Sequence, residues 1–87
     1  MELEEMTKTL RKHIFERYAI PADDADFTDD VHLFDYGYID SLGAVELVNF
    51  VQETFGVQIN QSDLMAYPMN TINEIATFAS LRKRGEL

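Results

Sequence analysis

The stretch Phe34-Asp35-Tyr36-Gly37-Tyr38-Ile39-Asp40-Ser41-Leu42-Gly43-Ala44-Val45-Glu46-Leu47 decides how the chain is read. Up to Asp40 it is irregular and broken by glycine. From Ser41 to about Phe55, Ala44, Leu47, Val48, Val51 and Phe55 recur at intervals of three and four, which puts one apolar stripe on a helix. Ser41 therefore stands at or next to a helix start, after a carboxylate and at the end of a loop. Such a start offers unpaired backbone N–H groups and the positive end of the helix dipole, a setting that accommodates a phosphate. The commonest use of a serine there is capping, worth about 0.5–2 kcal/mol relative to alanine. The two uses are compatible, because Asp40 can cap while the Ser41 hydroxyl points to solvent.

Working outward, residues 3–18 predict a first helix. Leu3, Met6, Leu10, Ile14 and Tyr18 share a face, Glu2, Glu4 and Glu5 suit its N-terminal dipole, and Arg17 suits its C-terminus. Pro21 is expected to close it. Residues 19–40 show no sustained period and predict one long loop, with a helical turn after Thr28 and with Ile20, Phe27, Val31, Leu33 and Phe34 pinning it over the core. Gly37 gives the backbone access to a positive φ just before the serine, and Tyr36 and Tyr38 beside it are expected to pack. Gly56 is expected to stop the second helix, and Val57 and Ile59 to point inward. Ser62 is the expected cap of a short turn near 62–66, ended by Pro68. Thr71 and Glu74 form a capping-box pattern opening a last helix to residue 83, with Ile72, Ile75, Ala76 and Ala79 as its stripe. Arg82, Lys83 and Arg84 read as the complement of its C-terminal dipole. The fold class expected is an all-α bundle of three main helices and a short fourth turn, as one domain over residues 1–87. Phe50 falls on neither face of its helix.

Composition narrows the function. The chain has no cysteine, so it can form no disulfide or thiolate metal site, and any thiol chemistry must come from a cofactor. Sixteen acidic residues against seven Lys and Arg give a net charge of −9, a surface that repels nucleic acid and steers toward basic partners. No apolar run reaches the roughly 18 residues of a membrane span, and the acidic N-terminus is unlike a signal peptide. A monomer in the cytoplasm, with no nucleic-acid partner and no membrane insertion, is the expectation. Asp24, Asp26 and Thr28 fall at the first positions of a calcium loop. The pattern then places Asp29 where the turn needs glycine and Asp35 where it needs glutamate, so a solvated acidic loop is the better reading. Autonomous catalysis has no support. Ile39-Asp40-Ser41-Leu42-Gly43 lacks the first glycine of a nucleophile elbow, and His13 and His32 have no triad or metal spacing.

Gly37, Asp40-Ser41-Leu42, Val45, Glu46-Leu47 and Phe55-Gly56-Val57 together resemble the attachment site of the acyl carrier protein family, which includes the peptidyl and D-alanyl carriers. The likeness spans nearly the whole chain. It implies that Ser41 carries a 4′-phosphopantetheine arm through a phosphodiester, and that the thiol of the arm holds an acyl group as a thioester. It implies a phosphopantetheinyl transferase, a loading enzyme and a downstream synthase as partners, in fatty acid, polyketide or related biosynthesis. Asp40 would help dock the modifying enzyme or its metal-bound coenzyme A. Leu42, Val45, Glu46, Asn49 and Glu53, on the strip beside Ser41, form the expected partner surface. Gly43 departs from fatty-acid-type carriers, which usually have an acid two residues after the serine, and would leave the partner-facing surface one negative charge short. Phe34-Asp35, Gly37, Asp40-Ser41, Gly43 and Phe55-Gly56-Val57 together resemble more closely the discrete aminoacyl or D-alanyl carriers. The competing reading is an unmodified acidic helical module that binds a basic partner.

Overall fold

The computed structural model describes residues 1–87 as four helices without strands: α1 (Leu3–Arg17), α2 (Ser41–Phe55), α3 (Gln61–Ala66) and α4 (Ile72–Lys83). The all-α expectation holds, and the limits of the three long helices agree within one residue.

Burial follows the stripes. Met6, Leu10 and Ile14 of α1 meet Ile72, Ile75, Ala76, Phe78 and Ala79 of α4, which is the main helix–helix contact. Leu47, Val51 and Phe55 of α2 close the same core. Leu3 is exposed and Tyr18 lies just beyond α1, so the stripe of that helix is three residues rather than five. Ala44 and Val48 are only half-buried, because the neighbour on their side is the six-residue α3, too short to cover them.

The helix stops are local. Ala19, in the left-handed region at φ 51°, ends α1 two residues before Pro21. The Ile20 N–H donates to the Phe15 carbonyl at 3.1 Å and the Ala19 N–H to Glu16 at 3.4 Å, the two bonds of a Schellman motif. Gly56 ends α2 at φ 67°, as expected. The cap of α3 is Asn60, not Ser62. Its Oδ1 accepts from the Asp63 N–H at 2.9 Å, Asp63 returns a bond to the Asn60 N–H, and the Ser62 hydroxyl donates to the same Asn60 oxygen. Thr71 and Glu74 form the capping box of α4.

Residues 18–40 make turns and no helix. Ile20, Val31, Leu33 and Ile39 are buried, with Phe27 and Phe34 packed against the core. Polar ties fasten the rest. The Leu33 N–H donates to the Asn70 carbonyl at 2.8 Å, Arg11 Nε donates to Asp29 at 2.7 Å, and Asn73 Nδ2 donates to Asp30 at 2.7 Å. Asp24 accepts from the Tyr38 hydroxyl at 2.9 Å and from the Asp26 N–H. Three of the loop's carboxylates, Asp24, Asp29 and Asp30, are engaged in anchoring it. No group of three or more His, Asp or Glu side chains is placed to hold a metal ion.

Candidate functional site at the start of α2

Asp40 is the N-cap of α2, with extended backbone at φ −92° and ψ −176°. Its Oδ1 accepts from the Gly43 N–H at 2.8 Å, and its carbonyl accepts from the Ala44 N–H at 2.8 Å. Capping is therefore done by Asp40. Ser41 follows as the first residue of the helix, exposed, with no intramolecular hydrogen bond on its hydroxyl. Gly37 adopts φ 79° four residues before Ser41 and carries the chain into this approach. Ile39, buried beside Asp40, anchors the last step of the loop.

Around Ser41 the second helix presents the strip read from the sequence. Leu42 is 71% exposed and Val45 59%. Asn49 and Glu53 are exposed as well. Glu46 is on the same wall but not free, since its carboxylate meets Arg17 of α1 at 2.7 Å. That pair bridges the end of α1 to the first turns of α2. Arg17 also lies over the Tyr18 ring, 5.5 Å from its centroid.

Gly43 faces inward, which corrects its place on the partner surface. An ideal Cβ there would come within 2.8 Å of Ile39 Cγ2 and 3.1 Å of Tyr18 Cε1, and the Tyr18 hydroxyl donates to the Gly43 carbonyl at 3.0 Å. The position lacks a side chain because α1 and the loop close over it. Burial pushes the Tyr18 phenol up from its ordinary range, and the Glu46 charge adds to this.

On the other side of Ser41, α2 and α3 enclose an apolar cleft of about 470 Å³. Val45, Val48, Leu64 and Met65 form its walls, and Val51 and Ile75 lie deeper. Met65 is 83% exposed. An exposed apolar residue on so short a helix has no periodic signature, and α3 was read from the sequence only as a turn.

The two histidines are occupied elsewhere. His13 stacks on Phe50 with ring centroids 3.6 Å apart and planes within 7°, which gives Phe50 its place on the outer side of α1 and α2. Burial, then the Arg17 charge, lowers the His13 pKa. His32 Nδ1 accepts from the Asp35 N–H at 3.0 Å. Neither is hydrogen-bonded to Ser41. Arg82 stands in the last turn of α4, where it complements the dipole, and also forms an ion pair with Asp63 at 2.7 Å.

The chain thus displays an exposed serine hydroxyl at a helix start. A search of curated proteins finds no match. Residues 8–79 match the family model of the phosphopantetheine attachment site. That span is most of the chain, and the protein accordingly belongs to the phosphopantetheine attachment family of carrier proteins, whose domains are the site of covalent 4′-phosphopantetheine attachment.

Proposed function

We propose that Ser41 is the attachment residue and that the 87 residues act as one monomeric carrier domain, presenting an acyl group as a thioester to partner enzymes. The observation that carries this is the division of labour between neighbours: Asp40 caps α2, so the Ser41 hydroxyl is left exposed and unused. The residues suit the group. The first turn of α2 contains no acidic side chain, and its N–H groups and dipole favour the negative charge of a phosphodiester. When bound, the arm supplies the thiol that a chain without cysteine lacks. In the modification, Ser41 Oγ would form a bond to the phosphorus of coenzyme A that bears the pantetheine arm, the phosphoanhydride bond would break, adenosine 3′,5′-bisphosphate would leave, and the serine proton would pass to a base of the transferase. Asp40 holds the helix start in place and stands beside the incoming coenzyme A.

The partner surface in this reading is the strip Leu42, Val45, Glu46, Asn49 and Glu53, extended by Met65 across the cleft. Any transferase, loading enzyme or synthase that reaches Ser41 must cover it. Cargo in the acyl class is supported by the apolar cleft beside the attachment point. Of the residues that bring the chain closer to aminoacyl and D-alanyl carriers, Gly43 carries little weight on partner choice, since packing against Tyr18 and Ile39 accounts for its missing side chain.

Intact mass after co-expression with a broad-specificity phosphopantetheinyl transferase tests the reading. The wild type should gain one phosphopantetheine and Ser41→Ala none. Modification of the alanine variant would place the site elsewhere.

A further inference from the structure

The helix that walls the cleft is held differently from the other three. α1, α2 and α4 each bury at least three apolar side chains or an inward-facing apolar face, whereas the only buried residue of α3 is Asp63. Leu64 is 47% exposed and Met65 83%. Apolar burial, worth about 1.5–3 kcal/mol for each large side chain, therefore does little for α3. Six residues are also far below the roughly 12–15 that sustain an isolated helix.

What remains is polar and converges on one carboxylate. Asp63 Oδ2 accepts from the Asn60 N–H at 3.0 Å, which closes the capping box. Arg82 of α4 then donates to the same group twice, Nη2 to Oδ1 at 2.7 Å and Nη1 to Oδ2 at 3.2 Å. Arg82 Nη1 also donates to the Gln58 carbonyl at 3.2 Å, so one guanidinium holds both α3 and the link that leads into it. The guanidinium is fixed over the Phe78 ring, 4.9 Å from its centroid. The Tyr67 ring also packs against Phe78 just past the helix, and Gln52 Oε1 accepts from the Ile59 N–H at 2.8 Å in the link before it. Arg82 Nε is buried without a partner, so this cation is placed for where it holds α3 rather than for full satisfaction of its own donors.

We infer that the Asp63–Arg82 pair is a latch that positions α3 as a movable wall of the cleft beside Ser41, and that its release opens the cleft while α1, α2 and α4 stay packed. Arg82 is a positioning residue in this scheme. It does not line the cleft and acts on it through Asp63 and the Gln58 carbonyl. The consequence for cargo or partner access rests on the carrier reading above; the latch itself does not.

Amide hydrogen exchange on the unmodified full chain at neutral pH tests the latch without reference to any modification. In Arg82→Gln the Leu64 and Tyr67 amides should exchange about tenfold faster or more, in keeping with the loss of a charge-assisted hydrogen-bonded pair. The Leu10 and Ala76 amides should keep their wild-type rates. Asp63→Asn, which retains an oxygen for the Asn60 N–H, should behave as Arg82→Gln does. Arg82→Lys should recover part of the protection and Arg82→Met, which keeps only the apolar stem, none. The inference is overturned if α3 amides are unprotected in the wild type, if they are unchanged in Arg82→Gln, if Leu10 and Ala76 accelerate by the same factor, or if Arg82→Met matches the wild type. Failure of Ser41 to take up phosphopantetheine would overturn the carrier reading and leave these rates as they are.

Discussion

Tyr18, the residue that closes α1, donates its phenolic hydrogen to the Gly43 carbonyl in the first turn of α2 at 3.0 Å, and its ring covers the place a Gly43 side chain would occupy. The bond ties the end of the first helix to the start of the second, one turn from Ser41. It makes Gly43 a packing requirement. Alanine at position 43 would gain at most about 1 kcal/mol of helix propensity, and less in a first turn. Its methyl would meet Ile39 Cγ2 at 2.8 Å, where overpacking costs about 1–3 kcal/mol. Gly43→Ala should therefore lower stability by about 1 kcal/mol, read as a fall in the denaturant midpoint. Gly43→Asp should lower it further, because its carboxylate would be pressed against the Tyr18 ring. A neutral or stabilising alanine would mean that Ile39 and Tyr18 yield freely.

Asp40 and Ser41 should separate under mutation. Asp40→Ala removes the acceptor of the Gly43 N–H and should cost about 0.5–2 kcal/mol. Ser41→Ala removes no internal hydrogen bond and should stay within about 0.5 kcal/mol of the wild type, as an ordinary surface change does. Thermal or urea unfolding of the two variants side by side checks the order. If Ser41→Ala were the more damaging, the serine would be the cap.

Tyr38 gives a spectroscopic handle on the loop that leads to the site. Its hydroxyl donates to Asp24 at 2.9 Å, and burial, then that bond and the Asp24 charge, pushes its pKa from 10.0 to about 12. A raised phenol pKa means that the stability tied to the neutral phenol is complete below about pH 10 and is lost as the pH rises through about 12. Ultraviolet titration should show two of the four tyrosines ionising above the ordinary range, Tyr18 and Tyr38, with the Tyr38 step the one that responds to Asp24. Asp24→Asn should bring that step part of the way back, leaving the share due to burial. A late step unchanged in Asp24→Asn would remove Asp24 from the account.

These relationships also mark what the sequence discloses. The limits of α2 are legible because each rests on residues adjacent in the chain: a cap at Asp40, a stripe from Ala44 to Phe55, and a left-handed glycine at 56. The Thr71–Glu74 capping box is legible for the same reason. The stop of α1 at Ala19 is not, since alanine gives no sign that it will take a left-handed conformation. The inward turn of Gly43 depends on Tyr18, 25 residues earlier. The place of Phe50 depends on His13, and Arg82 meets Asp63 from 19 residues away. The cap of α3 was within reach, because Asn60 and Asp63 have capping-box spacing. Ser62 lies two residues past the cap that the structure shows.

The pairing of Glu46 with Arg17 changes what the docking strip should do. A free Glu46 would be a steering charge for a basic partner, but here it is already met at 2.7 Å by a cation of the same chain. Exposed pairs of this kind contribute about 0–1 kcal/mol, so a partner's own cation can displace Arg17 at little cost. Arg17→Gln should therefore raise the association rate with a basic transferase or loading enzyme, and Glu46→Gln should lower it. Both effects should fade as salt shortens screening toward about 8–10 Å. Leu42, 71% exposed and one residue from Ser41, belongs to the other kind of contact. Burying it against a partner would be worth about 1–2 kcal/mol more than burying alanine, and the loss should appear in the dissociation rate with little salt dependence. Stopped-flow or surface kinetics with one transferase at two salt concentrations separates the three variants. Wild-type rates for Leu42→Ala in every modifying and loading step would move the docking surface off this strip of α2.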